Sequence, residues 1–402
     1  MPTLSHKIRL YPNKKQEEFF RKSCGCSRFV YNWALSTWQQ EYEAGLKPSA
    51  FGLMAQIKEL KKSSPWLSEV SIVSLQRPIR NLGSSFQSFF KKKAKHPKFH
   101  KKGQKDSFYL TNQAVKIEGK KLKIPKVGSV NLAQELRLKD KIMSCTISRT
   151  ADQWFASIAV ELSELPKQVK SSNKSVGLDL GIKTAIVTSD GVSFQSPKPL
   201  KRYAKKLKRQ SQTLSRRKKG SNNRNKAKVQ LSKTHAKIAR IRQDFIHKTT
   251  SKLIDENQVI CLEDLNVKGM KKNHKLARSL SDISFGEIRR QLEYKAALHG
   301  REIKFVDRFF PSSKTCSNCG IVKESLSLGE RTFKCQDCGF SLDRDINAAI
   351  NIRNFAVLRA GDFIPGRIGA DSPESGNKCR KPVRLGSDVS RNTRQESSGG
   401  AQ

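Results

Sequence analysis

The chain has 402 residues, of which 36% are hydrophobic and 20 are phenylalanines, enough apolar material for a packed core and too much for global disorder. Its 79 lysines and arginines against 35 acids give a formal net charge of +44, which predicts a polyanionic partner. Nucleic acid is the favoured partner, and a membrane surface is the alternative. The longest apolar run is four residues, far short of the roughly 20 that a membrane span needs, and the N-terminus lacks the apolar core of a secretion signal. We therefore expect a cytoplasmic, nucleoid-associated protein whose cysteines are thiols or metal ligands.

The N-terminal part of the chain begins with a strand signal and continues with helix signals. "HKIRLYP" alternates as a short strand does, and the residues from Asn13 to Gly45 place apolar side chains at helical spacing. Further helices are predicted as far as residue 105, where basic residues accompany Phe86, Phe89 and Phe90. This stretch is either a helix with a core face and a solvated basic face, or one wall of a nucleic-acid groove.

The pattern changes to strands between Ser107 and Glu164. Short alternating segments such as "AVKIEGKKLKIPKVG", with a glycine at the turn, predict a small β-barrel-like unit. The polar stretch "PKQVKSSNKS" that follows is typical of a linker between domains.

A strongly basic segment lies between Lys198 and Lys252, with 20 lysines or arginines and a single acid, Asp244. Apolar residues at helical spacing on both sides of "GSNN" predict two helices packed as a hairpin with cationic outer faces. Cationic faces of this kind indicate binding to the phosphate groups of a nucleic acid. The expected nucleic-acid contacts are Arg216, Arg217, Lys218 and Lys219. After about Ala360 the chain is rich in glycine, serine and proline, and we expect a disordered tail.

Four cysteines form two CxxC pairs, Cys316 with Cys319 and Cys335 with Cys338. Each C-x2-C turn directs two thiolates to one side, and a second turn after a hairpin closes a tetrahedron, the geometry of Zn2+. The alternatives are coincidence or a redox dithiol, but neither pair opens a helix after a strand, as thioredoxin-like motifs do. Because sulfur fills all four positions, we expect the zinc to be structural.

Three carboxylates occupy positions where an acid adds little stability. Asp179 ends an apolar strand, Glu263 ends the apolar run "VICL", and Asp345 opens a predicted helix whose alanines allow close approach to a sheet. Each one alone reads more simply as a strand-end residue or a helix cap. Together, in a basic protein, they fit phosphodiester hydrolysis, in which carboxylates from different elements share two Mg2+ ions roughly 4 Å apart.

Five motifs, in order along the chain, carry a family resemblance: "GLDLGIKT", "CLEDLNVKGM", "SLSDISFGEIRRQLEYKA", "VDRFFPSSKTCSNCG" and "DRDINAAINI". The sequence resembles the TnpB family of RNA-guided nucleases, which IS200/IS605-type transposons encode and which are relatives of the Cas12 effectors. "RLYP", "SRFVYNWAL" and "LSRRKKGS" extend the resemblance upstream.

The resemblance implies an α/β multidomain fold. A wedge β-barrel is interrupted by a helical recognition insert and followed by an RNase H-like RuvC domain with an inserted zinc ribbon. The expected segments are the first barrel strand at 1–13, the recognition helices at 14–105, the rest of the barrel at 106–170, the RuvC domain at 171–311 with its basic hairpin at 198–252, the zinc insertion at 312–341, the third RuvC motif at 342–359 and the tail at 360–402.

The resemblance also implies a function. It implies an Mg2+-dependent endonuclease that cleaves double-stranded DNA beside a short flanking motif, directed by a guide RNA from the transposon end, as a monomeric ribonucleoprotein. The family's catalytic acids fall on Asp179, Glu263 and Asp345, since Asp345 rather than Asp343 precedes the "x-N-A-A" of the motif. The residues expected to read the flanking DNA, as similarly placed residues do in the family, are Gln76, Thr111 and Asn112.

Two other classes of protein remain open from the sequence. A DDE-type transposase also uses an RNase H fold and two metals, but its acids run Asp, Asp, Glu, whereas here the glutamate is second. A non-catalytic nucleic-acid-binding zinc protein would share the charge and the cysteines. It would not need three acids at the ends of strands and helices.

Overall fold

The computed structural model describes residues 3–104, 106–138, 140–164, 174–327 and 329–358. Two expectations fall outside these residues: most of the linker with the boundary at residue 170, and the disordered tail. Within the described residues the chain forms a seven-stranded sheet, a five-stranded sheet and a two-stranded hairpin. None of the helices described combines the length and the apolar character that crossing a membrane requires.

The first sheet is built from the N-terminal strand and a later group of strands. In chain order, the elements are β1 (Thr3–Tyr11), α1 (Lys14–Glu43), α2 (Ala50–Ala55), α3 (Ile57–Ser63), a 3-10 helix (Pro65–Glu69), α4 (Ile72–Phe90), β2 (Ser107–Thr111), a second 3-10 helix (Asn112–Ala114), β3 (Lys116–Glu118), β4 (Lys121–Ile124), β5 (Gly128–Leu132), β6 (Lys141–Thr150) and β7 (Gln153–Glu161). The sheet order is β2-β6-β7-β1-β5-β4-β3. Strand β1 therefore lies between β7 and β5, as expected for a sheet interrupted by a helical insert. The described strand pairs leave β2 and β3 at the edges, so closure into a barrel stays a prediction.

Helix α1 covers the apolar face of this sheet. Strand β7 alternates between buried and half-buried residues, the period of a strand with one face on a core. The ring of Phe20 packs on those of Phe108 and Trp154, with centroids 5.6 and 5.2 Å apart. A capping box fixes the start of α1, because Asn13 and Gln16 each accept the other's backbone N–H through their side chains.

Helix α4 contains the aromatic residues for which the sequence left two interpretations. Phe86 is buried and stacks on Trp38 of α1, with ring centroids 4.5 Å apart. Phe90 is 64% exposed. The core interpretation is therefore confirmed for Phe86, while Phe90 faces solvent.

The second sheet contains both strands that end in predicted catalytic acids. Its elements and those that follow are β8 (Ser175–Asp179), β9 (Ile186–Thr188), β10 (Ser193–Phe194), α5 (Pro199–Arg216), α6 (Asn222–Glu256), β11 (Val259–Glu263), α7 (Val267–Met270), α8 (His274–Ile283), α9 (Phe285–His299), β12 (Glu302–Val306), β13 (Thr332–Lys334), β14 (Ser341–Asp343) and α10 (Arg344–Leu358). The order is β10-β9-β8-β11-β12, with β8, β11 and β12 parallel and the β8–β9 and β9–β10 pairs antiparallel. Strand β11 has three consecutive fully buried residues, the pattern predicted from "VICL".

Helix α10 lies unusually close to strand β8. A Cβ atom added at Gly177 would lie 1.9 Å from the carbonyl oxygen of Ala349 and 2.7 Å from the backbone nitrogen of Arg353. Both Ala348 and Ala349 are buried, as the predicted close approach requires. The small residues on the two elements therefore set the distance between the helix and the sheet.

Substituting Gly177 with alanine should destabilise this part of the fold by about 3 kcal/mol or more, because the atoms it would strike are backbone and cannot rotate away. Gly286→Ala is the matched control: it lies in α9, where an added Cβ meets nothing within 4 Å. Thermal melts of the two variants check this. A Gly177→Ala protein with the same melting temperature as the parent would contradict the close packing.

Candidate active site

Asp179 and Glu263 end neighbouring parallel strands at the same edge of the second sheet. Strands β8 and β11 pair in parallel with Leu178 opposite Leu262, so the next residue on each strand is one of the two acids. The carboxyl ends of parallel strands are where open α/β sheets place their ligands. The register therefore brings together two acids that are 84 residues apart in sequence.

The start of α10 separates the roles of two nearby aspartates. The Oδ1 atom of Asp343 accepts the backbone N–H of Asp345 at 2.9 Å and that of Ile346 at 3.2 Å, so Asp343 caps the helix. Asp345 lies in the first turn, and its Oδ1 accepts a hydrogen bond from the guanidinium of Arg344 at 3.2 Å. Asp343 therefore has a structural role as the cap, and Asp345 pairs with Arg344 in the first turn of the helix.

The electrostatics of Asp179 connect the three acids. Burial, followed by the negative charges of Glu263 and Asp345, raises the pKa of Asp179 to about 7, while the guanidinium of Arg344 opposes the rise. Asp343 contributes least. A carboxyl group that resists ionisation beside two other acids is typical of a site that uses a cation to bring them together.

Glu263 is oriented by a residue that the sequence analysis missed. The hydroxyl of Ser312 donates a 2.6 Å hydrogen bond to Oε1 of Glu263. The backbone carbonyl of Ser312 in turn accepts from the side chain of Asn351 on α10 at 2.8 Å. Strand β11, the segment after β12 and helix α10 are therefore linked through one hydrogen-bonded chain.

Two buried asparagines of α10 hold the segment that leads into the cysteines. Asn347 and Asn351 each donate to the carbonyl of Thr315 at 2.7 Å, and the side-chain oxygen of Asn347 accepts the N–H of Ser317 at 3.0 Å. Their spacing of four residues places both on one face of the helix. Asparagine repeated at a four-residue spacing in this helix was the sequence signal that could have revealed them.

The predicted cysteine quartet converges in the structure. The Sγ atoms of Cys316, Cys319, Cys335 and Cys338 all lie within 4.8 Å of one another, with 3.7 Å between Cys316 and Cys338 and 3.6 Å between Cys319 and Cys335. A tetrahedron with Zn–S bonds of about 2.3 Å has sulfurs about 3.8 Å apart, so the four thiols fit zinc. Across the described residues, no other set of three or more metal-ligating side chains converges in this way, the three carboxylates included.

The remaining cysteines of the described chain belong to the core, as expected. Burial raises the pKa of Cys24 and of Cys145 to about 12, and that of Cys26 and of Cys261 to about 11. Raised pKa values favour the protonated thiol at neutral pH, the form that packs as a small apolar group.

The basic hairpin is confirmed as helices α5 and α6. Its tip residues Arg216, Arg217, Lys218 and Lys219 are all exposed. The base of the hairpin is fixed by Asp282, a buried acid of α8 whose oxygens accept the backbone N–H groups of Leu200 and Lys201 at 3.0 Å. Asp282 thus caps α5 from a distant part of the sequence, a role that local pattern reading missed.

The residues predicted to read flanking DNA lie on two elements that pack together. Gln76 is on α4, and Thr111 ends β2, with Asn112 exposed beyond it. The hydroxyl of Ser74 on α4 donates to the carbonyl of Tyr109 on β2 at 2.9 Å. The contact joins the two elements, with Gln76 two residues after Ser74 and Thr111 two residues after Tyr109 in sequence.

Comparison with known proteins identifies the family. Residues 157–274 match the OrfB_IS605 profile, described as a probable transposase, residues 285–352 match the Cas12f1-like TNB domain, and residues 1–47 match a helix-turn-helix domain. The last range corresponds here to β1 and the single long helix α1.

Two curated relatives match almost the whole chain. A Streptomyces pristinaespiralis protein named as an RNA-guided DNA endonuclease is 36% identical, over 96% of this chain and 98% of the relative. The Escherichia coli K12 protein InsQ, which is also named as an RNA-guided DNA endonuclease, is 33% identical over 89% of this chain and 94% of the InsQ chain. The chain therefore belongs to the TnpB family of IS605-type OrfB proteins.

A solved structure has a related fold. The protein of a Cas12f1–sgRNA–target DNA complex aligns with a TM-score of 0.53 and 14% identity, over 88% of this chain and 99% of that one. At this identity the likeness concerns the fold, which mixes helices and sheets in both proteins.

Replacing Cys335 with serine should remove zinc and destabilise the segment that α10 holds, because zinc binding of roughly 10 kcal/mol or more is coupled to the folding of such knuckles. Elemental analysis measures the change, and Cys145→Ala, in the first sheet, is the control that should keep its metal. Unchanged zinc in the Cys335→Ser protein would refute the ligand set.

Replacing Asp179 with asparagine should remove a pH-dependent loss of stability. The pKa of this carboxyl rises from 3.8 to about 7 on folding, so the folded state favours the protonated form and loses stability as the pH climbs between those values. In Mg2+-free buffer without a chelator, the melting temperature of the parent should fall more between about pH 5 and about pH 8 than that of Asp179→Asn. Equal falls would mean that folding does not raise the pKa of Asp179.

Proposed function

We propose that this chain is an RNA-guided endonuclease that cuts double-stranded DNA by metal-dependent phosphodiester hydrolysis at Asp179, Glu263 and Asp345. The observation that carries the proposal is the placement of two acids at neighbouring strand ends with a third, electrostatically coupled to them, on α10. Membership of the TnpB family, whose relatives are named as RNA-guided DNA endonucleases, supports it independently.

The three carboxylates would hold two Mg2+ ions, for which oxygen ligands are the preferred donors. When bound, the ions would activate water and stabilise the leaving oxygen. The chain's own residues supply position: β8 and β11 fix two acids in register, Ser312 orients Glu263, and the helix that Asp343 caps presents Asp345.

The domain plan follows from this assignment. The five-stranded sheet with α10 would be the RNase H-like RuvC domain, from residue 171 to 311 and again from 342 to 359. The cysteine segment 312–341 would be its zinc insertion, and the seven-stranded sheet, at 1–13 and 106–170, would be the wedge barrel around the recognition helices of 14–105. This division agrees with the strand order, since β1 is separated in sequence from the strands with which it pairs.

The net charge of +44 suits a large polyanion, and a guide RNA with its target DNA supplies one. The solved Cas12f1 protein of related fold is in complex with an sgRNA and target DNA. We assign one protein chain to one guide RNA, in the bacterial or archaeal cytoplasm near the nucleoid. Gln76, Thr111 and Asn112, at the junction of α4 and β2, are assigned to the flanking DNA motif.

The order of the acids and the environment of Asp179 argue against the two other classes of protein. A DDE transposase would need its glutamate last, and here Glu263 lies between the aspartates in sequence. A non-catalytic zinc protein would gain nothing from burying an acid beside two others, an arrangement that raises its pKa.

Alanine at Asp179, Glu263 or Asp345 should each abolish cleavage of a guide-matched plasmid in Mg2+. Guide and target binding should stay near the parental level, because affinity comes from cations and base pairing elsewhere. The loss should be several kcal/mol of transition-state stabilisation and non-additive among the three.

The control for these variants is Asp343→Ala, which removes a helix cap and should cost about 1 kcal/mol of stability without stopping cleavage. Cleavage assays and melting temperatures on the same preparations measure both effects. An inactive Asp343→Ala beside an active Asp345→Ala would overturn the assignment of the site.

Charge reversal at Arg216, Arg217 and Lys218 should weaken nucleic-acid binding and flatten its dependence on salt, by about one unit of slope for each phosphate that the tip no longer neutralises. Lys248→Glu is the control, since this ammonium on α6 already pairs with Asp244 at 2.9 Å. Binding titrations across a range of salt concentrations give the slopes. If the triple variant keeps the parental slope, the tip is only a solvated surface.

A further inference from the structure

Phe309 is an exposed aromatic residue on the segment that supports the acids. Its side chain is 85% exposed, the highest value among the large apolar side chains in the described part of the chain. It lies in the turn after β12, three residues before the serine whose hydroxyl orients Glu263. A phenylalanine so placed keeps its apolar ring in water beside the candidate active site.

The turn that carries Phe309 is held from both sides. The backbone N–H of Phe309 donates to Oδ1 of Asp307 at 2.8 Å, and that of Phe310 donates to the carbonyl of Asp307 at 3.1 Å. The ring of Phe310 points inward onto Phe355 of α10, with centroids 4.2 Å apart. One phenylalanine of the pair thus anchors the turn, and the other is presented to solvent.

An ionic contact ties the same turn to the end of β11. The guanidinium of Arg308 bonds Oδ2 of Asp264 at 2.7 Å, and Asp264, which directly follows Glu263, also bonds Arg289. The backbone N–H of Asp264 donates to the carbonyl of Val306 at 3.1 Å. The position of Phe309 is therefore fixed relative to Glu263 by contacts on the neighbouring residues.

We infer that Phe309 is a stacking platform for an unpaired base of the DNA strand that is cut. This inference rests on the proposed function. RNA-guided recognition displaces one DNA strand as a single strand, and proteins that bind single strands use aromatic rings on which bases stack. Arg308 is already paired with Asp264 at 2.7 Å, so Phe309 contributes its aromatic face alone.

The surroundings of the ring favour a base over a protein partner. Phe309 is flanked in sequence by charged Asp307 and Arg308 and by the anchored Phe310, so it projects as a single ring. A protein interface is centred on a larger apolar patch with less charge at its core. The role assigned to Phe309 is to position the strand, since its ring has no group that could take part in hydrolysis.

Three substitutions separate stacking from simple apolar contact. Phe309→Ala and Phe309→Leu should cut guide-matched DNA roughly tenfold more slowly in single-turnover assays, whereas Phe309→Trp should cut near the parental rate, because stacking requires an aromatic face. Target binding and melting temperature should not change in any of them. Phe51→Ala, which removes a ring that is 81% exposed on α2, is the control and should leave the cleavage rate unaltered.

Abasic substrates test the contact itself. Substrates with a single abasic site at successive positions of the cut strand are compared. The parent should cleave more slowly when the abasic site is at one or two particular positions, whereas the cleavage rate of Phe309→Ala should not depend on whether a base is present there. The inference would be overturned if Phe309→Ala cleaved at the parental rate or if Phe309→Leu were fully active. It would also be overturned if abasic sites slowed parent and variant equally, or if the variant changed in oligomeric mass. A parent that leaves matched DNA uncut would overturn the proposed function and this inference with it, which distinguishes the two failures.

Discussion

The contact between helix α10 and strand β8 is the constraint on which the rest of the site depends. It exists because Gly177 has no side chain and Ala349 has a small one, so the two backbones meet where a Cβ atom would lie 1.9 Å from a carbonyl oxygen. At that distance the first turn of α10 reaches the edge of the sheet where β8 and β11 end. The third acid thereby comes within electrostatic range of the first two.

The same helix explains why a zinc knuckle lies next to a group of acids. Asn347 and Asn351 bond the segment before the cysteines, and Ser312 in that segment bonds Glu263. The segment that leads into the four thiols is therefore connected to a carboxylate through hydrogen bonds. Breaking a buried hydrogen-bonded network of this kind costs more than its individual bonds suggest, because the partners that remain are left unsatisfied.

The environment of Asp179 costs the folded chain stability near neutral pH. Burial and two neighbouring acids raise its pKa to about 7, so the ionised carboxylate is less favourable in the folded chain than in the unfolded chain. Such local cost is common at sites that need charge in a fixed place, and the surrounding core compensates for it. The hydrophobic residues packed behind β8 and β11 supply that compensation here.

The sequence was most informative where the chemistry depends on spacing or on local pattern. The cysteine pairs, the acids at strand ends and the two basic helices could all be predicted, because each is defined by residues near one another in the chain. Ser312, Asn347, Asn351 and Asp282 could not, since each acts on a partner that only the folded chain brings near. The insertion of β1 between β5 and β7 is non-local in the same way, and only the resemblance to a family made it expected.

Binding of Mn2+, followed by electron paramagnetic resonance, tests most directly whether Asp179, Glu263 and Asp345 form one divalent-metal site. Zinc-loaded parent protein with its guide and an uncleavable target should bind a spin-coupled pair of Mn2+ ions, because the two metals of such sites lie roughly 4 Å apart. Asp345→Ala should lose the coupled signal and Asp343→Ala should keep it. A coupled pair that persists in Asp345→Ala would contradict the account.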